Sequence, residues 1–142
     1  MSDFDDLPTL DAASRTKRRN RKGATRLEAK IAAKADTRRL DAGFRAAVWR
    51  RDGGKCRVCG VTVKRTLELD PRRGEVHHLT KRYHKAVIFD RRNGLLVCCQ
   101  DHHRLTIGTI QIVRAAAFTF ELDGRTYLNA DHPLSFSEHP EI

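Results

Sequence analysis

A cysteine pair and a later cysteine–histidine pair with the same spacing constrain the fold of this chain more than any other feature. They are Cys56 with Cys59, and Cys99 with His102. Only 39% of the 142 residues are hydrophobic, and so thin a core commonly needs a disulfide or a structural metal. Cysteine and histidine close the tetrahedral sites of structural zinc. We therefore expect these four residues to bind one structural Zn²⁺ ion.

Cys98 is the alternative to Cys99 in this site. The short apolar segment at residues 95–98 predicts a strand, and successive side chains of a strand point to opposite faces. Only one of the two adjacent cysteines is therefore expected to be a ligand. The two-residue spacing before His102 favours Cys99.

The cysteines are expected to bind metal rather than to form disulfides. Residues 1–11 are acidic and lack the apolar stretch of a secretory signal. No apolar run reaches the length that spans a bilayer. These observations predict a cytoplasmic protein with no membrane partner, and cytoplasmic cysteines are usually kept reduced.

The charge distribution predicts a nucleic-acid partner. The formal net charge is +10, and 14 of the 28 lysines and arginines lie in residues 15–51. A segment this basic suits the phosphates of DNA, and we expect double-stranded DNA to be bound with a steep dependence on salt. The residues of the segment expected to contact phosphates are Arg18, Arg19, Arg21 and Lys22.

Local patterns before the histidines predict helices followed by strands. A helix is expected over residues 24–40, and Gly43 is expected to separate it from a short helix over residues 44–51. The sequence Asp52-Gly53-Gly54 should end that helix. Alternating apolar residues between 61 and 69 are typical of strands.

Local patterns after residue 70 predict two strands, a helix and a hairpin. Strands are expected over residues 75–78 and 95–98. Asp101 can cap a helix over residues 102–107, which Gly108 should end. Asp123-Gly124 is a strong turn signal for a hairpin. The fold class expected from these elements is α+β.

A second group of residues has the chemistry of phosphodiester hydrolysis. It consists of His77, His78, Asn93 and His103. A histidine can deprotonate water near neutral pH, and a divalent ion can stabilise the charge on phosphorus and on the leaving oxygen. We expect His77 and His103 to hold that ion and His78 to be the general base. The Asn93 carbonyl is expected to orient the His78 ring or to approach the ion.

The runs RRDGGKCRVCG, EVHHL and NGLLVCCQDHHR occur in that order and resemble the HNH endonuclease family. The resemblance covers roughly residues 44–108 and implies a small ββα-metal core. It implies the same roles for His77, His78, Asn93 and His103. It also implies a structural zinc on Cys56, Cys59, Cys99 and His102.

The resemblance completes a division of the chain into segments. They are a disordered acidic tail at 1–14, a basic helical arm at 15–40, an HNH nuclease domain at 41–108, a β-hairpin at 109–130 and a tail at 131–142. The loop between the two histidine-bearing segments is also basic. Its expected phosphate contacts are Lys81, Arg82, Arg91 and Arg92.

The expected function is endonucleolytic hydrolysis of DNA by His78-activated water, in nicking or double-strand cleavage. Mn²⁺, Ni²⁺, Mg²⁺ or Zn²⁺ could be the catalytic ion, and a pair of imidazole ligands favours the others over Mg²⁺. One alternative is a DNA-binding module that has the zinc but no hydrolytic activity. Another is a nuclease acting on RNA, because a metal on a phosphate does not distinguish the sugar. With its small size and these motifs, the chain resembles the small HNH proteins of phage and mobile elements.

Overall fold

The computed structural model describes residues 11–82 and 84–138, and the side chains from residue 25 onward. Within these residues, two α-helices and six short strands form an α+β fold, as the sequence predicts. The helices are α1 (Asp11–Asp52) and α2 (Cys99–Ile107), and two 3₁₀ turns lie at Arg91–Asn93 and Ala116–Phe118. The strands are β1 (Gly74–His78), β2 (Gly94–Cys98), β3 (Ile110–Ile112), β4 (Thr119–Leu122), β5 (Arg125–Leu128) and β6 (Phe136–Glu138).

The strands form three separate antiparallel pairs. β1 pairs with β2 so that Gly74 lies opposite Cys98 and His78 lies opposite Gly94. α2 follows β2 directly and packs against both strands. β3 pairs with β6, and β4 pairs with β5. The histidine-rich segments of the sequence therefore meet in one small strand–strand–helix unit.

Helix α1 is continuous through Gly43, so the predicted interruption at that residue is wrong. A glycine inside a helix costs about 1 kcal/mol relative to alanine, but it does not by itself end the helix. Asp41 and Arg45 form an ion pair across this turn, with Nε 2.9 Å from Oδ2. The predicted end is correct, because α1 stops at Asp52 and Gly53 has a positive φ of 63°.

The chain divides into two compact units, Met1–Arg39 and Leu40–Ile142. In the first unit, residues 25–39 are exposed along helix α1. The apolar side chains of Leu27 and Ile31 are also exposed. Residues 1–10, which include most of the predicted acidic tail, lie outside the described residues. No described helix is both long enough and apolar enough to cross a membrane.

The core of the second unit lies between the last turns of α1 and the β1–β2 pair. Phe44 and Val48 of α1 are buried in it with Leu95, Leu96 and Val97 of β2. A Cβ atom added to Gly94 would lie only 2.6 Å from Cζ of Phe44 and 2.7 Å from Cγ2 of Val48. Glycine at position 94 therefore allows the helix to approach the strand closely.

The C-terminal part contains one predicted pairing and one that was not predicted. The β4–β5 hairpin turns at Asp123 and Gly124, both with positive φ, as the sequence indicates. Strand β6, however, lies in the segment expected to be a loose tail, and it pairs with β3. The strand predicted around Leu67 and Leu69 is wrong, because these side chains are 99% and 95% exposed and belong to no strand.

Asp52 joins α1 to the segments that follow it. Its side chain is 1% exposed and accepts hydrogen bonds from Arg51 (2.7 Å), Arg57 (2.7 Å) and the Leu96 backbone N–H (3.0 Å). Burial raises the pKa of Asp52, but hydrogen bonds from Arg51, Leu96 and Arg57 outweigh it and lower the pKa below its usual value. The ionised carboxylate is therefore the form that stabilises the fold.

We expect Asp52→Asn to destabilise the protein by about 3 kcal/mol, because partly buried Arg57 loses its carboxylate partner and Arg51 keeps only its longer carboxylate contact with Asp131, at 3.3 Å. The contribution of the carboxylate is present above its unfolded-state pKa and is lost as pH falls through its lower folded-state pKa. Urea unfolding at neutral and acidic pH measures both effects. Asp36→Asn is the control, because Asp36 is 66% exposed in its pair with Arg39 and should change stability by less than about 1 kcal/mol. Equal effects of the two substitutions would contradict the role of Asp52.

Candidate metal centre and active site

Three thiols and a carboxylate converge where the Cys-x-x-Cys turn meets the start of α2. The ligand atoms of Cys56, Cys59, Cys98 and Asp101 all lie within 4.8 Å of one another. Asp101 Oδ2 is 3.2 Å from Cys56 Sγ and 3.3 Å from Cys98 Sγ. Cys59 Sγ is 4.0 Å from Cys98 Sγ, close to the roughly 3.8 Å expected for two thiolates on a tetrahedral zinc. These residues could hold a metal ion such as zinc.

The backbone of each segment directs its thiols into this cluster. In the first segment, the Gly60 N–H donates to the Cys56 carbonyl at 2.9 Å, and Gly60 has a φ of 76° that favours glycine. The Arg57 N–H donates to the Leu96 carbonyl at 2.8 Å, which attaches the turn to β2. In the second segment, Cys98 caps α2, because its Sγ accepts from the Asp101 N–H at 3.4 Å.

Cys98 and Asp101, rather than Cys99 and His102, complete the cluster, which corrects the predicted zinc ligands. Cys99 is the first residue of α2, and its Sγ lies 3.6 Å from Nη2 of Arg73. His102 Nδ1 instead lies 2.7 Å from Oε2 of Glu75. The expectation that only one of the two adjacent cysteines joins the cluster is met. The predicted pair, Cys99 and His102, lies one residue after the pair in the cluster, Cys98 and Asp101.

The cluster favours a bound cation electrostatically. Burial raises the pKa of the Cys98 thiol to about 12. Burial also raises the pKa of Asp101, but hydrogen bonds from Cys59, Cys56, Cys98 and Arg104 outweigh it and lower the pKa. An ionised carboxylate therefore lies among protonated thiols that donate to it. Metal binding would replace those protons, which is the usual coupling at thiolate sites.

His77 and His102 form a second group on the same strand–strand–helix unit. His77 lies on β1 and His102 on α2, and their ring centroids are 5.3 Å apart in an edge-on arrangement. The 2.7 Å contact between His102 Nδ1 and Glu75 occupies that nitrogen and leaves Nε2 for another partner. Burial and the neighbouring rings of His102 and His78 lower the pKa of His77 to about 4. His77 is therefore neutral near neutral pH, the form that binds metal ions.

His78 is held separately from this pair. Its Nε2 lies 3.1 Å from the Ile88 carbonyl oxygen, and its ring stacks on Phe44 with centroids 5.0 Å apart. A hydrogen bond from Nε2–H to that carbonyl leaves Nδ1 with the free lone pair. Burial and the charges of Arg82 and Arg45 lower the pKa of His78, although the Ile88 contact opposes them. The ring can therefore accept a proton near neutral pH.

Asn93 connects the two strands, and its side-chain carbonyl is bonded to the backbone rather than to the His78 ring. The side chain is fully buried, and its Oδ1 accepts from the Thr80 N–H at 2.8 Å. The Asn93 backbone carbonyl accepts from the Leu79 N–H at 2.9 Å. These two bonds fix the end of β1 against the start of β2. Asn93 therefore supports the histidines through the backbone.

The His103 side chain is exposed and makes no hydrogen bond, ion pair or ring contact within residues 11–82 and 84–138. The structure thus brings His102, and not His103, to His77. This difference and the exchange of Cys99 for Cys98 are the same shift of one residue. The pattern that forms both groups is Cys98-x-x-Asp101-His102.

The predicted basic contacts fall into three classes. Lys81 and Arg82 have exposed side chains. Arg91 pairs with Asp131 at 3.2 Å, and Arg92 pairs with Asp90 at 2.7 Å, so both are partly neutralised. The side chains of the other four lie outside what is described, although their backbone belongs to α1: Arg18, Arg19, Arg21 and Lys22.

Sequence reasoning missed two carboxylates of the site, Asp101 in the thiol cluster and Glu75 beside His102. Each had a usable signal, because Asp101 lies three residues after Cys98 and Glu75 lies two residues before His77 on the same face of a strand. Comparison with known proteins gave no assignment: no family model, no curated protein and no solved structure matches this chain.

Proposed function

We propose that this protein is a metal-dependent endonuclease of the HNH type that hydrolyses DNA phosphodiester bonds. The observation that carries the proposal is the edge-on approach of His77 and His102, 5.3 Å between ring centroids, next to His78 on the same strand. A non-catalytic zinc protein would not require this second group. The net charge of +10 supports a nucleic-acid substrate.

His77 and His102 would hold a divalent ion, which supplies positive charge to the phosphate and to the leaving oxygen. The residues fit this role, because His77 is neutral and His102 is oriented by Glu75 in the way that carboxylates orient metal-binding histidines. Two imidazole ligands favour Mn²⁺, Ni²⁺ or Zn²⁺ over Mg²⁺.

His78 is the general base in this proposal. The Ile88 carbonyl holds its Nε2–H, and Nδ1 takes a proton from the water that attacks phosphorus. The new bond joins the water oxygen to phosphorus, the bond to the 3′ oxygen breaks, and solvent protonates that oxygen. Asn93 contributes by fixing the connection between β1 and β2, and it has no role in proton transfer.

The thiol cluster has a structural role in this proposal. Zinc bound by Cys56, Cys59, Cys98 and Asp101 would attach the Cys-x-x-Cys turn to the start of α2. Since His102 follows Asp101 directly, the same attachment positions His102 against His77. The stability of the small hydrophobic core and the position of His102 would then both depend on one zinc ion.

The ends of the cleaved strand test the proposed function. Hydrolysis at the 3′ oxygen leaves a 3′ hydroxyl and a 5′ phosphate, so DNA ligase should reseal a nicked plasmid without prior treatment. The protein is incubated with supercoiled plasmid and each of the four candidate ions. Absence of nicking with every ion, or ends that ligase cannot join, would contradict the proposal.

We expect His102→Ala to weaken binding of the catalytic ion by more than the roughly 10- to 100-fold that indirect supporting residues typically contribute. His103→Ala should leave the affinity unchanged, because His103 is exposed and lies outside the group. Titration of the zinc-loaded protein with Mn²⁺, followed by electron paramagnetic resonance, measures this affinity. If the His103 variant loses affinity for Mn²⁺ and the His102 variant does not, His103 is the ligand, as the sequence predicts.

A further inference from the structure

We infer that a basic groove beside His77 binds the phosphates of the nucleic-acid strand that is cut, and that Arg114 and Arg125 are its phosphate-contacting residues. This inference rests on the proposed function and adds the path of the substrate. The two arginines lie in the C-terminal strands, where the sequence indicated only structural cover. They lie outside the β1–β2–α2 unit.

The groove consists of two adjoining cavities. A cavity of about 530 Å³ is lined by His77, Lys81 and Arg114, and one of about 590 Å³ is lined by Lys81, Arg114 and Arg125. The two share four lining residues, Leu79, Lys81, Arg114 and Leu128. The cavities therefore adjoin, and His77, a proposed metal ligand, lines the first of them.

The charge of the groove is uncompensated. Among the described residues, no aspartate or glutamate lines either cavity. Lys81 and Arg114 form no ion pair within the described residues, and the Arg125 guanidinium lies 3.5 Å from a ring nitrogen of His84 rather than from a carboxylate. By contrast, Arg92 and Arg104 are paired with acidic side chains. The cations of the groove are thus available to an anionic ligand.

The fold fixes the backbone that carries the two arginines. Arg114 follows β3, and the preceding Val113 N–H donates to the Ser135 carbonyl at 2.9 Å. Arg125 begins β5, next to Tyr127, which is buried with Phe120 and Val87. Both guanidinium groups are exposed on an ordered backbone. They are therefore accessible to anionic groups, although binding still costs the rotamer freedom of each side chain.

A nucleic-acid strand is the ligand that matches this groove best. It carries one negative charge at each phosphate, so its charges can follow a line of cations such as Lys81, Arg114 and Arg125. Apolar lining from Leu79 and Leu128 suits the sugars between phosphates. Because His77 lines the groove, a strand bound in it would bring a phosphate near the proposed catalytic group.

The salt dependence of binding tests the groove. Affinity of the zinc-loaded protein for a labelled DNA duplex is measured by fluorescence anisotropy at several salt concentrations, with no second ion added. Arg114→Ala and Arg125→Ala should each reduce the slope of log affinity against log salt by about 0.9. Arg72→Ala is the matched control, because it removes the same charge from an exposed turn outside the groove and should leave the slope unchanged.

The slope measurement tests phosphate binding in the groove, and plasmid nicking tests the proposed function, so the two can fail independently. Unchanged slopes in both groove variants would overturn the groove, even if the wild-type protein nicks plasmid. Reduced slopes would support phosphate binding in the groove, even if the wild-type protein cuts nothing and the endonuclease proposal fails. An equal loss of affinity for poly-glutamate would assign the groove to acidic polypeptides and would also overturn the inference. Melting temperatures confirm that both variants remain folded.

Discussion

Replacement of His78 by alanine is expected to lower the rate of DNA cleavage by about 10²- to 10⁴-fold, the usual contribution of a general base. Neither His77 nor Asn93 is placed to replace it, because the His77 ring contacts His102 and the Asn93 side chain is bonded to the Thr80 backbone. Affinity for DNA and for both metal ions should remain. A plasmid-nicking time course with the purified variant measures the rate.

Two further variants separate proton transfer from packing, because His78 also stacks on Phe44. His78→Gln can still donate an N–H to the Ile88 carbonyl, yet it cannot accept a proton at neutral pH. It should therefore restore stability but not activity. Added imidazole should partly restore cleavage by the alanine variant. If the glutamine variant cleaves DNA at the wild-type rate, His78 is a packing residue and the base lies elsewhere.

Loss of Cys98 is expected to have the largest effect on stability. Cys98→Ala removes a thiol from the cluster and the cap of α2 at once. Structural zinc contributes on the order of 10 kcal/mol in small zinc-dependent folds, so removing one ligand should cost several kcal/mol. We expect less than one zinc ion per chain and a lower melting temperature, measured by elemental analysis and calorimetry.

Cys99→Ala is the matched control for this prediction. The residue is adjacent and of the same type, but its thiol contacts Arg73 and lies outside the cluster. Full zinc content and nearly unchanged stability are expected. If the Cys99 variant loses zinc while the Cys98 variant keeps it, the sequence-based ligand set of Cys99 and His102 is correct.

The one-residue shift shows where local patterns stop being informative. β2 ends at Cys98 and α2 begins at Cys99. The side-chain period changes from 2.0 to 3.6 residues at this junction, so neither period decides which cysteine points at Cys56. The adjacent His102 and His103 posed the same difficulty. Strand β2 itself was predictable, because residues 95–98 form a short apolar run.

Contacts between distant segments were not predictable from the sequence. Ile110 pairs with Glu138, and nothing in either short strand specifies a partner across so long a connection. The groove has the same origin, because Arg114 and Arg125 reach Lys81 only through the folding of the C-terminal strands. At Gly43 the sequence signal was local and misleading. Glycine favours the end of a helix, but the packing of Phe44 and Val48 in the core keeps α1 continuous there.

The most direct test of the account is plasmid nicking as a function of added divalent ion, for zinc-loaded wild-type protein and for His77→Ala. The account predicts that the wild type nicks DNA only when a second ion is supplied. It also predicts that His77→Ala, with its zinc content unchanged, is inactive at ion concentrations that saturate the wild type. Ion-independent nicking by the wild type, or equal nicking by the variant, would contradict it.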